Sequence, residues 1–119
     1  MHSDPQEMEM VRIAVAKDFN RFPGGRHPRH GPGNGEEFRD KFLLPPLRKG
    51  EKVVVLFDDA AGFPASFLEE AFGGLVRAGF SSDELNNLLT IEVSDSDSVV
   101  YRDEAWQYIK EESDREKIG

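Results

Sequence analysis

The stretch that decides the fold is EKVVVLFDDAAGFPASFLEEAFGGL, at residues 51–75 of 119. Its apolar run at 53–57, VVVLF, does not alternate with polar residues, which is typical of a central strand covered on both faces. Apolar residues then recur at helical spacing over 67–77. The stretch therefore predicts a buried strand, a tight turn that ends on Ser66, and a helix. The glycine pair at 73–74 inside that helix suggests that its backbone lies very close to the sheet, because each glycine costs about 1 kcal/mol relative to alanine.

Before this stretch, the sequence predicts a strand, a long loop and a helix. Apolar and polar residues alternate over 10–16, which indicates a strand with one apolar face. Residues 20–35, NRFPGGRHPRHGPGNG, hold too much glycine and proline for regular structure, so they form a long loop. A helix should begin at Asn34 or the next residue, since Asn34 is a good N-cap and Glu37 follows three residues later. The proline pair at 45–46 should stop or sharply bend that helix.

After this stretch, the sequence predicts a short helix, a strand and a longer helix. Ser81 should cap the short helix, with Glu84 as its capping-box partner. TIEV at 90–93 should form a strand, and a last helix is expected over about 99–113. Strands that alternate with helices in this way predict an α/β fold, with a largely parallel, mixed sheet packed with helices.

The chain is expected to form one domain, because its length suits a single hydrophobic core. Residues 1–9 should be a disordered lead-in and residues 10–113 the α/β domain. Residues 114–119 form a polar tail that is expected to fray.

Composition and charge limit the class of protein and of partner. The chain has no cysteine, which excludes disulfides, thiol catalysis and cysteine-bound zinc, and fits a reducing cytoplasm. Its net charge of −8 argues against general affinity for nucleic acid. No apolar run approaches the roughly 20 residues that span a bilayer, and the first ten residues lack the pattern of a signal peptide. We therefore expect a cytoplasmic protein with no nucleic-acid or membrane partner, and the sequence leaves its oligomeric state open.

Three segments of the chain resemble a bacterial family, the STAS-like domains of unknown function. They are GEEFRDKFLLPPLRKGEKVVVLFD at 35–58, FPASFLEEAFGGLVR at 63–77 and EAWQYIKE at 104–111. The resemblance extends from about Val11 to Lys110. It implies a single STAS-like domain, distantly similar to the anti-sigma-factor antagonists.

The wider STAS group consists of small α/β regulators without chemistry of their own. In the anti-sigma-factor antagonists, a kinase-like partner phosphorylates a serine in an Asp-Ser-Ser-Gly motif at the start of a helix. Pro64-Ala65-Ser66-Phe67 occupies the matching turn here, so the resemblance puts Ser66 at the position of the acceptor serine. The other three residues of the motif differ. The resemblance also implies a kinase- or ATPase-like protein partner.

Ser66 itself has two interpretations. Ser66 and Glu69 have the spacing of a capping box, in which the serine caps the helix and the glutamate returns the bond. Alternatively, Ser66 is a phosphoacceptor, and a phosphate there would gain from the helix dipole.

Two further groups of residues are candidate sites. Asp58 and Asp59 follow the central strand, where a carboxylate pair could bind Mg²⁺ or act as acid and base, or could simply end the strand in solvent. A turn in the long loop could bind an anion through its backbone N–H groups and its arginines, or could be an ordinary β-turn; it comprises Arg21, Gly24, Gly25 and Arg26. His27 and His30 in the same loop are a weak zinc motif, so no metal is predicted.

The function that we expect is a non-enzymatic regulatory or protein-interaction module, switched by phosphorylation of Ser66 by its partner. No catalytic constellation and no cofactor is predicted. The alternative is a small binder or enzyme that acts on a phosphorylated ligand or nucleotide. In that case Arg21 and Arg26 would hold the phosphate, and Asp58 would hold a metal.

Overall fold

The structure, a computed structural model, describes residues 10–118, and the predicted lead-in at 1–9 lies outside the described residues. Its sheet contains three strands, β1 (Met10–Ala14), β2 (Lys52–Leu56) and β3 (Leu89–Glu92). They lie in the order β1-β2-β3, and both pairings are parallel. The predicted α/β class and the parallel arrangement are therefore confirmed.

Helices connect the strands and follow the last one. We name them α1 (35–48), α2 (65–77), α3 (Ser82–Leu88) and α4 (Val99–Ile118). The middle of α1 and of α2 is π-helical, at Arg39–Leu43 and Glu69–Gly73. Short helical turns lie at Val15–Phe19, Pro28–His30 and Ser96–Ser98. No described helix has both the length and the apolar character needed to cross a membrane.

β2 is buried on both faces at Val53, Val54 and Val55, as predicted, but the rest of the second face of the sheet is open among the described residues. Val53 and Val55 belong to the core, and their neighbours in register belong to it or pack against it. The outward side chains next to β2, and Lys52 at its start, are exposed: Met10, Arg12, Lys52, Thr90 and Glu92. The strand order explains this, since right-handed crossovers that always advance in one direction place their helices on one face. On the other face Val54 is still only 6% exposed. Its neighbour in register is Arg12, which forms an ion pair of 3.2 Å with Glu92 across the sheet.

The helix caps behave partly as predicted. Asn34 caps α1, since its Oδ1 accepts the N–H of Glu37 at 2.9 Å. Ser81 and Glu84 form the complete capping box of α3. These bonds confirm two N-termini that the sequence indicates locally.

The proline pair at 45–46 does not stop α1, which continues to Arg48. A wide turn precedes the prolines, because the N–H of Leu44 donates to the carbonyl of Arg39, five residues back. The prolines then stand in the first turn of a new α-helical stretch. Proline is tolerated there because its missing N–H would have no partner in any case.

Two ends of elements also differ from the prediction. β1 ends at Ala14, two residues early, because Asp18 turns the chain by accepting the N–H of Ala14 at 2.8 Å. Helix α4 continues past residue 113 to Ile118, and polar ion pairs along it, such as Lys110 with Asp114 at 3.3 Å, accompany the extension.

Close approaches at glycines pack α1 against α2. A Cβ on Gly35 would lie 2.8 Å from the carbonyl oxygen of Phe67, so the two backbones meet there. A Cβ on Gly74 would lie 2.5 Å from the guanidinium of Arg39, and one on Gly73 would lie 2.9 Å from the carboxylate of Glu69. The prediction that the glycines at 73–74 lie against the sheet is therefore wrong: they make room for charged side chains.

Candidate functional site

The long loop at 20–35 is folded onto the turn that precedes α2. The carbonyl of Arg21 accepts the N–H of Ala61 at 2.8 Å, which joins loop to turn. Within the loop, Gly24 donates to Gly33 at 2.9 Å, and the N–H of Gly35 donates to the carbonyl of Gly25 at 2.9 Å. These backbone bonds give a glycine-rich segment a defined position at the start of α2.

Ser66 is not the N-cap of α2, so the predicted capping box is wrong. The helix begins at Ala65 with Pro64 as its N-cap, and no side chain caps it. Proline takes this position because its backbone, with φ −59° and ψ 148°, is extended as an N-cap requires. Ser66 is therefore inside the first turn and half-buried, and its hydroxyl makes no hydrogen bond within residues 10–118. Whether Ser66 is a phosphoacceptor stays a prediction.

The predicted anion-binding residues do not converge on one point. The guanidinium of Arg26 binds the carboxylate of Glu69 and lies 3.7 Å from that of Glu70. Its backbone N–H donates to Nδ1 of His30 at 3.3 Å, while Gly24 is used within the loop. Arg21 instead lines a separate cavity at the ends of the strands. Anion binding by this loop stays a prediction, and in this structure two carboxylates already hold Arg26.

Arg26 belongs to an ion-pair cluster that joins the loop to three helices. We call this set the Arg–Glu cluster; it comprises Arg26, Arg39, Glu69, Glu70, Arg77, Glu112 and Arg115. Arg77 connects α2 with α4, since its Nη1 lies 2.7 Å from Glu69 and 2.9 Å from Glu112. The sequence did not predict this cluster, because its partners are up to 43 residues apart.

The π-helical section of α2 explains why Arg39 is part of the cluster. The N–H of Gly74 donates to the carbonyl of Glu69, five residues back, which leaves the carbonyl of Glu70 without its usual helical partner. Nη1 of Arg39 donates to that carbonyl at 3.2 Å and to the Glu70 carboxylate at 2.6 Å. One arginine from α1 thus satisfies both a buried carboxylate and an orphaned backbone group.

The ion pairs shift the titration of the glutamates. Burial alone would raise the pKa of Glu69, but hydrogen bonds from Arg77 and Arg26 outweigh it and hold the pKa of Glu69 below its usual value. A hydrogen bond from Arg115 lowers the pKa of Glu112 in the same way, against the effect of burial. Both carboxylates therefore stay charged and paired at neutral pH.

An apolar pocket of about 400 Å³ opens where the loop meets the start of α2. We call it the apolar pocket; its lining is Phe22, Pro23, Ala61, Gly62, Phe63, Pro64 and Tyr101. Phe22 stands at its rim with 72% of its surface exposed, while Phe63 is buried in the floor and packs edge-on against Tyr101. Phe22 and Tyr101 are not among the site residues predicted from the sequence, because the pocket forms only where segments distant in the chain meet. The signal that could have found Phe22 is its place inside a loop rich in glycine and proline.

Asp58 and Asp59 lie at the carboxyl end of β2, as predicted from their position in the chain. Asp58 accepts hydrogen bonds from the N–H and the hydroxyl of Ser94, both at 2.8 Å, so it links β2 to the segment after β3. Asp59 has a left-handed backbone with φ 69°, a conformation that aspartate tolerates better than most residues. Both line two adjoining cavities of about 230 and 480 Å³. An acidic site here stays a prediction.

The described residues contain no group of three or more metal-ligating side chains that could hold a metal ion. His27 and His30 serve the loop instead. Nδ1 of His30 accepts the N–H of His27 at 3.1 Å, and Nδ1 of His27 lies 2.8 Å from the carboxylate of Glu36.

One known protein family matches more than half of the chain. The model of this family, described as the STAS-like domain of unknown function (DUF4325), matches residues 34–99, which run from the N-cap of α1 to the start of α4. Searches of curated proteins and of solved structures returned no match. The matched residues include β2, α2 and the turn between them, which carry Ser66 and the part of the apolar pocket formed by residues 61–64. Phe22, Pro23 and Tyr101 of the pocket lie outside the matched residues. The chain therefore belongs to the STAS-like domains of unknown function.

Proposed function

We propose that this domain is a non-enzymatic regulatory module that binds a protein partner through the apolar pocket at the start of α2. The observation that carries the proposal is the exposure of Phe22, 72%, beside a pocket of about 400 Å³. Aromatic side chains at the centre of an interface contribute much of its binding energy. An exposed phenylalanine next to an apolar pocket is costly in solvent and favourable under a partner.

The partner is a kinase- or ATPase-like protein. The distant resemblance to the anti-sigma-factor antagonists supports this choice, because those regulators work with kinase-like partners. The position of the pocket supports this partner too. Pro64, which lines the pocket, is the N-cap of α2, and the start of this helix matches the position at which the anti-sigma-factor antagonists carry the serine that a kinase-like partner phosphorylates.

Phosphorylation of Ser66 regulates the contact. Ser66 is two residues past Pro64 of the pocket, and its hydroxyl is unused within the described residues. Glu69 and Glu70 follow at the spacing of one helical turn, so a phosphate on Ser66 would lie on the same face as two carboxylates. The added negative charge would repel these groups and would attract Arg26, which now holds them. Either effect changes the surface that the partner meets.

A photo-crosslinking experiment tests the docking surface. The residue p-benzoylphenylalanine replaces Phe22 in one variant and Val100 in a control, because Val100 is also exposed, at 57%, but does not line the pocket. Both variants are irradiated in the host cell, and the adducts are identified by mass spectrometry. We expect a specific adduct with a kinase- or ATPase-like protein from position 22 and none from position 100. Equal labelling from both positions, or none from position 22, contradicts the proposal.

A second experiment tests the modification. The crosslinked partner is purified and incubated with the domain and MgATP, and intact mass is measured for the wild type and for Ser66→Ala. The proposal expects one added phosphate in the wild type only. A phosphate on both proteins, or on neither, rejects Ser66 as the acceptor while leaving the docking surface to the crosslinking result.

A further inference from the structure

The smaller cavity at the carboxyl ends of β1 and β2 has charges of both signs. Its lining is Ala14, Ala16, Lys17, Arg21, Asp58 and Asp59, and its volume is about 230 Å³. Lys17 lies in the helical turn directly after β1, and Asp59 lies in the turn after β2. The cavity therefore has cations on its β1 side and carboxylates on its β2 side.

Most of the charged side chains that line this cavity form no ion pair with another described residue. Lys17, Arg21 and Asp59 form no ion pair within residues 10–118, and all three are exposed. Asp58 differs, since its carboxylate already binds Ser94 twice. The groups that a ligand could engage are thus two cations and one carboxylate.

The size and the wall of the cavity restrict the ligand. A volume of about 230 Å³ lies below the range of roughly 300–1,000 Å³ that holds drug-sized molecules. The remaining wall is formed by Ala14 and Ala16, whose side chains are small and apolar. In α/β proteins, ligands commonly bind outside the carboxyl ends of parallel strands, which is where this cavity lies.

We propose that this cavity binds a free α-amino acid with a small side chain. Its carboxylate lies against Lys17 and Arg21, because arginine matches the planar geometry of a carboxylate. Its ammonium group lies against Asp59, and its side chain lies against the two alanines. A ligand with a single charge leaves one side of the cavity uncompensated, so both charges are needed for binding. The site is separate from the apolar pocket, and the proposal does not depend on the proposed partner.

Isothermal titration calorimetry on the full chain, without a partner, tests this proposal. The probes are glycine and L-alanine, with propionate and ethylammonium as analogues that carry only one of the two charges. The variants are Arg21→Gln and Asp59→Asn, since asparagine also tolerates the left-handed backbone at this position. Arg29→Gln is the matched control, because Arg29 is exposed in the same loop but does not line the cavity.

We expect saturable binding of L-alanine or glycine to the wild type and to Arg29→Gln, with equal Kd. The Kd should rise at least tenfold in each of the other two variants, and the single-charge analogues should bind at least tenfold more weakly than L-alanine. The proposal is overturned if neither amino acid binds the wild type. It is also overturned if both cavity variants bind like the wild type, or if propionate binds as tightly as L-alanine.

Discussion

Replacement of Arg39 tests whether the Arg–Glu cluster holds α1 against α2. Nη1 of Arg39 donates to the Glu70 carboxylate at 2.6 Å and to the Glu70 carbonyl at 3.2 Å. The two side chains are only 15% and 12% exposed. In Arg39→Met the apolar stem is largely kept, but a nearly buried carboxylate and a carbonyl lose their main donor.

The expected loss of stability follows from this burial. Removing one partner of a buried ion pair costs about 3–5 kcal/mol, because the other charge remains uncompensated. Glu70 keeps two weaker contacts, with Arg26 and Arg77, each at 3.7 Å. We therefore expect Arg39→Met to lower the free energy of unfolding by about 2–4 kcal/mol.

Urea unfolding measures this loss, with Trp106 as the probe. It is the only tryptophan of the chain, and it packs against the core. A double-mutant cycle with Glu70→Met isolates the pair, and we expect a coupling energy of about 2 kcal/mol. Arg102→Met is the control, since Arg102 pairs with the exposed Asp103 and should change stability by less than about 0.5 kcal/mol. If Arg39→Met costs no more than Arg102→Met, the cluster does not stabilise the contact between the helices.

Three further predictions concern stability. Gly35→Ala should lower the thermal midpoint, because the added Cβ would lie 2.8 Å from the backbone of α2. The clash should cost about 1–3 kcal/mol, which exceeds the gain in helix propensity from glycine to alanine. An unchanged midpoint would refute the close approach of the two helices. Asn34→Ala should cost about 1–2 kcal/mol in urea unfolding, because a buried cap is lost, whereas a cost near zero would argue against the cap. The free energy of unfolding should fall as the pH drops below about 4.5. The pKa values of Glu69 and Glu112 are lower in the folded chain than in the unfolded chain, so the unfolded chain takes up protons first and is favoured by acid. Urea unfolding at pH 7 and pH 3.5 measures this, and Glu69→Gln should reduce the difference.

Features that depend on neighbouring residues were predictable from the sequence. The cap at Asn34 and the capping box at Ser81 each need only a partner three residues away, and both are present. The parallel sheet followed from the alternation of strands and helices.

Features that depend on distant contacts were not predictable. The run at 53–57 indicates a buried strand but does not reveal that Arg12, the neighbour of Val54 in register, pairs with Glu92 across the outer face of the sheet. The spacing of Ser66 and Glu69 matches a capping box, yet Arg26 and Arg77, far away in sequence, take up the glutamate. The apolar pocket was not predictable for the same reason, because it exists only where the loop at 20–35 and the start of α2 meet.

The most direct test of the proposed function is the affinity of the crosslinked partner for Phe22→Ser. Because Phe22 is largely exposed, this substitution should leave the thermal midpoint unchanged. At an interface whose centre it occupies, its loss should cost about 2 kcal/mol or more, which is a rise in Kd of about thirty-fold. Val100→Ser, at an exposed position outside the pocket, should change the Kd less than about twofold. Equal Kd values for the wild type and Phe22→Ser would contradict the account, because the partner would then bind elsewhere on the domain.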